Sequence, residues 1–161
     1  MTVLIDIIGI GVIIPVLPYY IKSFGASDLI VTLLVAVFAL LSFVSAPMLG
    51  SLSDKIGRRP VLIWSIISTS IGWFIFAWAP SVIWLFIGRI IDGLAAGNVT
   101  TAQSSLADIA PDDKTRAHNM GLIGALFGVG LIIGPIIGGL LGSLGPTIPF
   151  WFVGILAAIN A

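Results

Sequence analysis

The sequence has no cysteine, a single histidine (His118), and charged residues at only 9% of its 161 positions. Without cysteine there is neither a disulfide framework nor a thiolate metal site, and one histidine does not make a metal centre alone. A soluble domain of this length has a polar surface to cover and carries about a quarter of its residues charged; this chain does not. Its formal net charge of zero removes the basic footprint expected of a nucleic-acid partner. No basic segment precedes the first apolar run and no small-residue cleavage site follows it, so the start does not read as a secretory signal. No nucleophile–base pair, phosphate-cradling loop or cluster of metal ligands is visible. An enzyme is not expected, and no cofactor or metal is implied.

Apolar sequence dominates instead. Hydrophobic residues make up 58% of the chain and the mean hydropathy is +1.19. Five apolar runs are each near the roughly 20 residues needed to cross a bilayer: residues 3–21, 29–49, 61–79, 82–106 and 120–144. A sixth begins at Pro149 and stops at Ala161, which predicts a helix cut short. The runs lack the alternation of a membrane barrel, and helices are the elements that satisfy their own backbone in lipid. The fold class predicted is all-α, a polytopic membrane helix bundle. Lys55, Arg58, Arg59, Lys114 and Arg116 lie in loops two-three and four-five, whereas the opposite loops carry only Lys22. The positive-inside rule therefore places those two loops, and the amino terminus, in the cytoplasm.

Four features break the apolar pattern. A polar knot, Gly50-Ser51-Leu52-Ser53-Asp54-Lys55-Ile56-Gly57-Arg58-Arg59-Pro60, predicts a tight turn between helices two and three. Gly57 permits the turn and Pro60 suits the first turn of the next helix. Asp54 adds little to topology, so the knot carries more than an orientation signal, and Asp108 is a plausible partner for Arg58. In the fourth run, Arg89, Asp92, Ala96, Thr100 and Gln103 fall on one helical face. A charge at this depth must be paired or wet. The stripe reads either as an Arg89–Asp92 pair that fixes packing or as the wall of a functional cavity. Asp6, one turn into the first run, reads either as an interfacial acid at a helix start or as a protonatable group. In the fifth run Gly130, Gly134 and Gly138, with Pro135 and Gly139, leave a groove down one face in which another backbone can lie. The tryptophans, Trp73 among them, read as interface and packing residues.

The knot resembles the signature loop between helices two and three of the major facilitator superfamily. Arg89-x-x-x-Gly93-x-x-x-Gly97 is similar to its fourth-helix motif, and Gly130 to Gly139 to the fifth-helix motif of its antiporters. The opening Asp6 to Pro18 resembles the first helix of drug:proton antiporters, tetracycline-efflux proteins above all. The resemblance covers essentially the whole chain and implies the amino-terminal six-helix half of a twelve-helix transporter of the cell's inner membrane, whose partners are a small-molecule substrate, protons, the bilayer and a second six-helix half. It implies proton-coupled efflux of a small lipophilic drug by alternating access, as against transport of a metabolite or sugar or a non-transporting membrane subunit. It also implies roles for residues. Gly50, Asp54, Gly57, Arg58, Arg59 and Asp108 would belong to a cytoplasmic gate, with Asp54 reaching the second half. Asp6 and Arg89 would serve a central cavity, and Gly134 and Pro135 a rocking interface. Two positions depart from the tetracycline-type pattern. Gly72 stands where an acid is expected midway along helix three, and Asp92 where a neutral residue is expected.

Overall fold

The computed structural model describes residues 2–161, apart from the side chain of Asn98. Seven helices follow in order: α1 (Thr2–Ser23), α2 (Asp28–Ile56), α3 (Arg58–Ala77), α4 (Val82–Leu94), α5 (Asn98–Asp108), α6 (Asp113–Leu144) and α7 (Ile148–Asn160). There is no strand among the described residues. Five units are long and apolar enough to cross a membrane, α4 and α5 together making the fourth; α7 is a shorter apolar helix.

Four of the expected spans differ in the structure. The second, third and fifth helices run past the predicted limits of 49, 61 and 120. Hydropathy marks where the bilayer ends, and a polar helix can continue into the headgroup region until something breaks it. The knot is thus two helix ends joined at Gly57 alone, whose φ of +98° is open to glycine and strained for other residues. Likewise α6 starts at Asp113, capped by Asp112, whose carboxylate accepts the Thr115 N–H at 2.6 Å. That hydrogen bond holds the Asp112 carboxyl below its ordinary range. The fourth span, expected to be continuous over 82–106, breaks at Ala95–Gly97. Gly97 N–H turns back to the Ala95 carbonyl at 2.7 Å, and the Ser45 hydroxyl on α2 donates to the Gly93 carbonyl at 2.7 Å. A broken backbone at membrane depth needs such partners, because no water replaces them there.

The core gathers on α1, α3 and α7. Tyr20, Trp73, Phe76 and Phe150 form a ring cluster with centroid separations of 5.0–6.2 Å, and the buried Tyr20 hydroxyl donates to the Phe76 carbonyl at 3.0 Å. The most extensive pairing is α1 with α6. It is close because the glycines meet backbone to backbone. A Cβ built on Gly134 would lie 2.6 Å from Gly11 Cα, and one on Gly138 2.7 Å from the Val12 carbonyl oxygen. A Cβ on Gly130 would meet the Ile7 side chain, whereas Gly139 has open space. Most of the apolar surface of α2 and α6 remains uncovered.

Candidate functional site

Arg89 and Asp92 lie one turn apart on α4, with Nη1 of Arg89 3.3 Å from Oδ2 of Asp92. They are 6% and 8% exposed, so the pair is largely desolvated. Three rings close around the guanidinium. Its central carbon is 5.3 Å from the Phe38 ring centroid, 4.9 Å from that of Trp73 and 4.8 Å from that of Phe76. Each ring face attracts a desolvated cation by about 0.5–2 kcal/mol. Thr69 hydrogen-bonds to the Asp92 carboxylate from α3. The arginine is thus held by aromatic faces as well as by its acid.

A cavity of about 180 Å³ opens beside the pair. Asp6 and Ile10 of α1, Phe38 and Ser42 of α2, and Thr69 and Trp73 of α3 share its wall with Arg89, Asp92, Ala96 and Val99. Asp6 is half-buried there, so the structure brings it together with Arg89 and Asp92 across two helices. Thr100 and Gln103 do not line this cavity. The expected five-residue stripe assumed one unbroken helix. The break at Ala95–Gly97 changes the register, so Val99 rather than Thr100 follows Ala96 on the cavity wall. Thr100 is exposed and its hydroxyl donates to the Gly97 carbonyl at 3.1 Å.

Trp73 falls among the packing residues: it is buried in the core and lies against Arg89. Phe38, Phe76, Thr69 and Ser42 were not expected at the site. One local signal did exist, since Thr69, Trp73 and Phe76 recur at helical spacing on one face of α3. Phe38 had none, because its place is fixed by how α2 crosses the break: a Cβ on Gly93 would lie 2.9 Å from Leu41 Cβ and 3.2 Å from the Phe38 carbonyl oxygen.

Arg58 is the hub of the second cluster. Its Nη1 lies 2.7 Å from Asp54 Oδ1 and donates to Ser53 Oγ at 2.6 Å, while its Nε donates to Asp108 Oδ2 at 3.1 Å. One side chain therefore ties together the end of α2, the start of α3 and the end of α5. Asp54, expected to reach another half of a transporter, meets Arg58 here. Gly50 lies within α2, its carbonyl accepting the Ser53 hydroxyl, and Arg59 is exposed. Asp54 and Asp108 are both more than half exposed, so solvent screens each pair. A double-mutant cycle on Arg58→Ala and Asp108→Asn, read by thermal unfolding, is expected to give a coupling of about 0.5–1 kcal/mol. Strict additivity would mean that the contact holds nothing.

These features agree with what the chain matches. A profile described as Major Facilitator Superfamily covers residues 1–161. The chain belongs to the Major Facilitator Superfamily. Among curated proteins of the superfamily it is 42% identical, over 163 residues, to the class C tetracycline resistance protein of Escherichia coli, a match covering 99% of this chain and 41% of that protein. It is 37% identical over 153 residues to the quinolone resistance protein NorA of Staphylococcus aureus, covering 94% of this chain and 39% of that one. Among solved structures, the human organic anion transporter MFSD10 (TETRAN) superposes with a TM-score of 0.84 at 26% identity, covering 99% of this chain and 43% of that one. The chain therefore spans about two fifths of the length of the curated relatives it matches. Its fold is that of a six-helix half of a superfamily member, in a multi-pass membrane protein.

Proposed function

We propose that the whole protein is a secondary transporter that expels a small lipophilic molecule in exchange for protons, with this chain as its amino-terminal half and the Arg58 cluster on the cytoplasmic side. The observation that carries the reading is the desolvated Arg89–Asp92 pair beside a cavity that also holds Asp6. Buried ionisable groups in a membrane mark ion and substrate paths. The two departures from the tetracycline-type pattern also support it. A Cβ on Gly72 would lie 3.0 Å from Asp92 Cβ, so the acid missing from helix three has a counterpart on α4 at the same place. Asp92 and Asp6 are the proton sites in this reading, and Arg89 keeps the Asp92 carboxylate available when the proton has left. Protonation then biases the two access states, and substrate binding biases them the other way. The close α1–α6 crossing is the packed surface on which they move.

Drug accumulation in cells expressing the full-length protein tests this, with tetracycline and several unrelated lipophilic drugs, with and without a proton uncoupler. Accumulation is expected to fall several-fold for at least one drug, and the uncoupler to abolish the difference. Asp92→Asn and Asp6→Asn are each expected to restore full accumulation. Unchanged accumulation of every drug would overturn the efflux reading and point to a metabolite as the cargo.

A further inference from the structure

A second site lies away from the central cavity, on the outer side of α2 and α3 near their shared turn. Leu49, Leu52 and Ile56 of α2 face Val61 and Trp64 of α3 across a groove of about 410 Å³, floored by α4. The groove is mostly apolar, with two serines of α3, Ser65 and Ser68, on its wall. Ser65 is 1% exposed, and its hydroxyl has no hydrogen-bond partner among the described residues. A hydroxyl left unpaired in an apolar setting is destabilising, so the groove holds a donor suited to an acceptor from outside the chain. An adjoining groove shares Leu49, Leu52 and Leu94 and is lined at its end by Lys55. Lys55 and Arg59 are exposed and form no ion pair among the described residues, whereas the neighbouring Arg58 is engaged by two acids. Lys55, Arg58 and Arg59 against Asp54 and Asp108 leave this corner at a net charge of +1.

We propose that this groove binds an anionic phospholipid. One acyl chain lies between α2 and α3 along Leu52 and Trp64, Lys55 and Arg59 hold the phosphate, and Ser65 donates its hydroxyl to an ester oxygen. The depth is consistent: Ser65 follows Arg59 by six residues, about 9 Å along the helix, which is below the headgroup and level with the glycerol esters and first chain carbons. Basic residues beside a cleft between membrane helices recognise anionic headgroups in this way. The proposal does not depend on what the protein transports. It names a lipid that would steady the α2–α3 turn.

Trp64, 70% exposed, reports on the groove directly. The full-length protein is reconstituted with brominated phosphatidylglycerol or brominated phosphatidylcholine at equal mole fraction, and the Trp64 component of fluorescence quenching is obtained by difference from Trp64→Leu. Phosphatidylglycerol is expected to quench that component at least twofold more strongly. The preference is expected to vanish in the double variant Lys55→Gln, Arg59→Gln and in high salt, and Ser65→Val to weaken quenching with both charges intact. Equal quenching by the two lipids in the unmodified protein would overturn the proposal, because the groove would then meet bulk lipid without selecting a headgroup. Quenching by neither would also overturn it, because the rest of the protein would then cover the groove. Both of these outcomes are measured on the unmodified protein against Trp64→Leu and stand even if the charge variant fails to fold.

Discussion

Arg89→Leu in the full-length protein is expected to abolish transport and to lower stability by about 3–5 kcal/mol, the cost of stranding one member of a buried ion pair. Asp92 would be left desolvated with Thr69 as its remaining partner here. The reverse change is expected to be milder. Asp92→Asn leaves Arg89 under three ring faces, which together offset a substantial part of the lost attraction. The folded protein should therefore survive Asp92→Asn while proton-coupled transport does not. The double variant Arg89→Leu, Asp92→Leu is expected to recover most of the stability lost in Arg89→Leu and none of the transport. Thermal unfolding in detergent, paired with drug accumulation, separates the two quantities. Equal destabilisation by Arg89→Leu and Asp92→Asn would show that the rings do not hold the cation.

The glycine face of α6 gives the second large effect. Gly134→Ala places a methyl group 2.6 Å from Gly11 Cα and 2.9 Å from the Ile8 carbonyl oxygen, both backbone atoms that cannot rotate away. Overpacking of this kind costs about 1–3 kcal/mol for a single carbon, and more for valine. Gly134→Val is accordingly expected to separate α1 from α6 and stop transport. Gly138→Ala meets the Val12 backbone and should follow closely. Gly130→Ala meets Ile7 Cγ2 at 2.6 Å and Ile7 Cβ at 2.8 Å, and a Cβ is carried by the backbone and does not rotate away, so its cost should be of the same size. Gly139→Ala meets nothing and gains helix propensity, so it should be neutral or stabilising by up to about 1 kcal/mol. The alanine variants at Gly130, Gly134 and Gly138 should all unfold at lower temperature than Gly139→Ala, and Gly134→Val at the lowest of the five. A damaging Gly139→Ala, or a harmless Gly134→Val, would show that the α1–α6 crossing differs from the one described.

The graded glycine series shows where reading along the chain stops. Gly130, Gly134, Gly138 and Gly139 look like one motif in sequence, and spacing puts the first three on one face. That Gly139 touches nothing while Gly134 abuts backbone depends on where α1 lies, more than a hundred residues earlier in the chain. The tryptophans show the same boundary. Trp64 and Trp78 are exposed as a membrane-interface residue should be, and Trp73, equally apolar in its neighbourhood, turns inward over Arg89. Ring type and local hydropathy do not distinguish them; the face of α3 turned toward α4 does.

By itself the sequence determined the number and order of the spans, the position of the hairpin at Gly57, and the presence of a charged pair inside the fourth span. These are local properties. Hydropathy over some 20 residues, the conformational freedom of glycine and the spacing of a helix act within a few turns of the residues concerned. Only the tertiary structure decided what those features face. It placed Phe38, Trp73 and Phe76 around Arg89, set Gly72 against Asp92, and broke the fourth span at Ala95–Gly97, where α2 supplies the Ser45 hydroxyl. The break removed Thr100 and Gln103 from a stripe that an unbroken helix would have kept. The physical reason is common to all of them. The rings around a buried charge, the surface met in a close backbone approach and the donor to a freed carbonyl all come from another helix, and which helix arrives there is settled by packing rather than by the local order of residues.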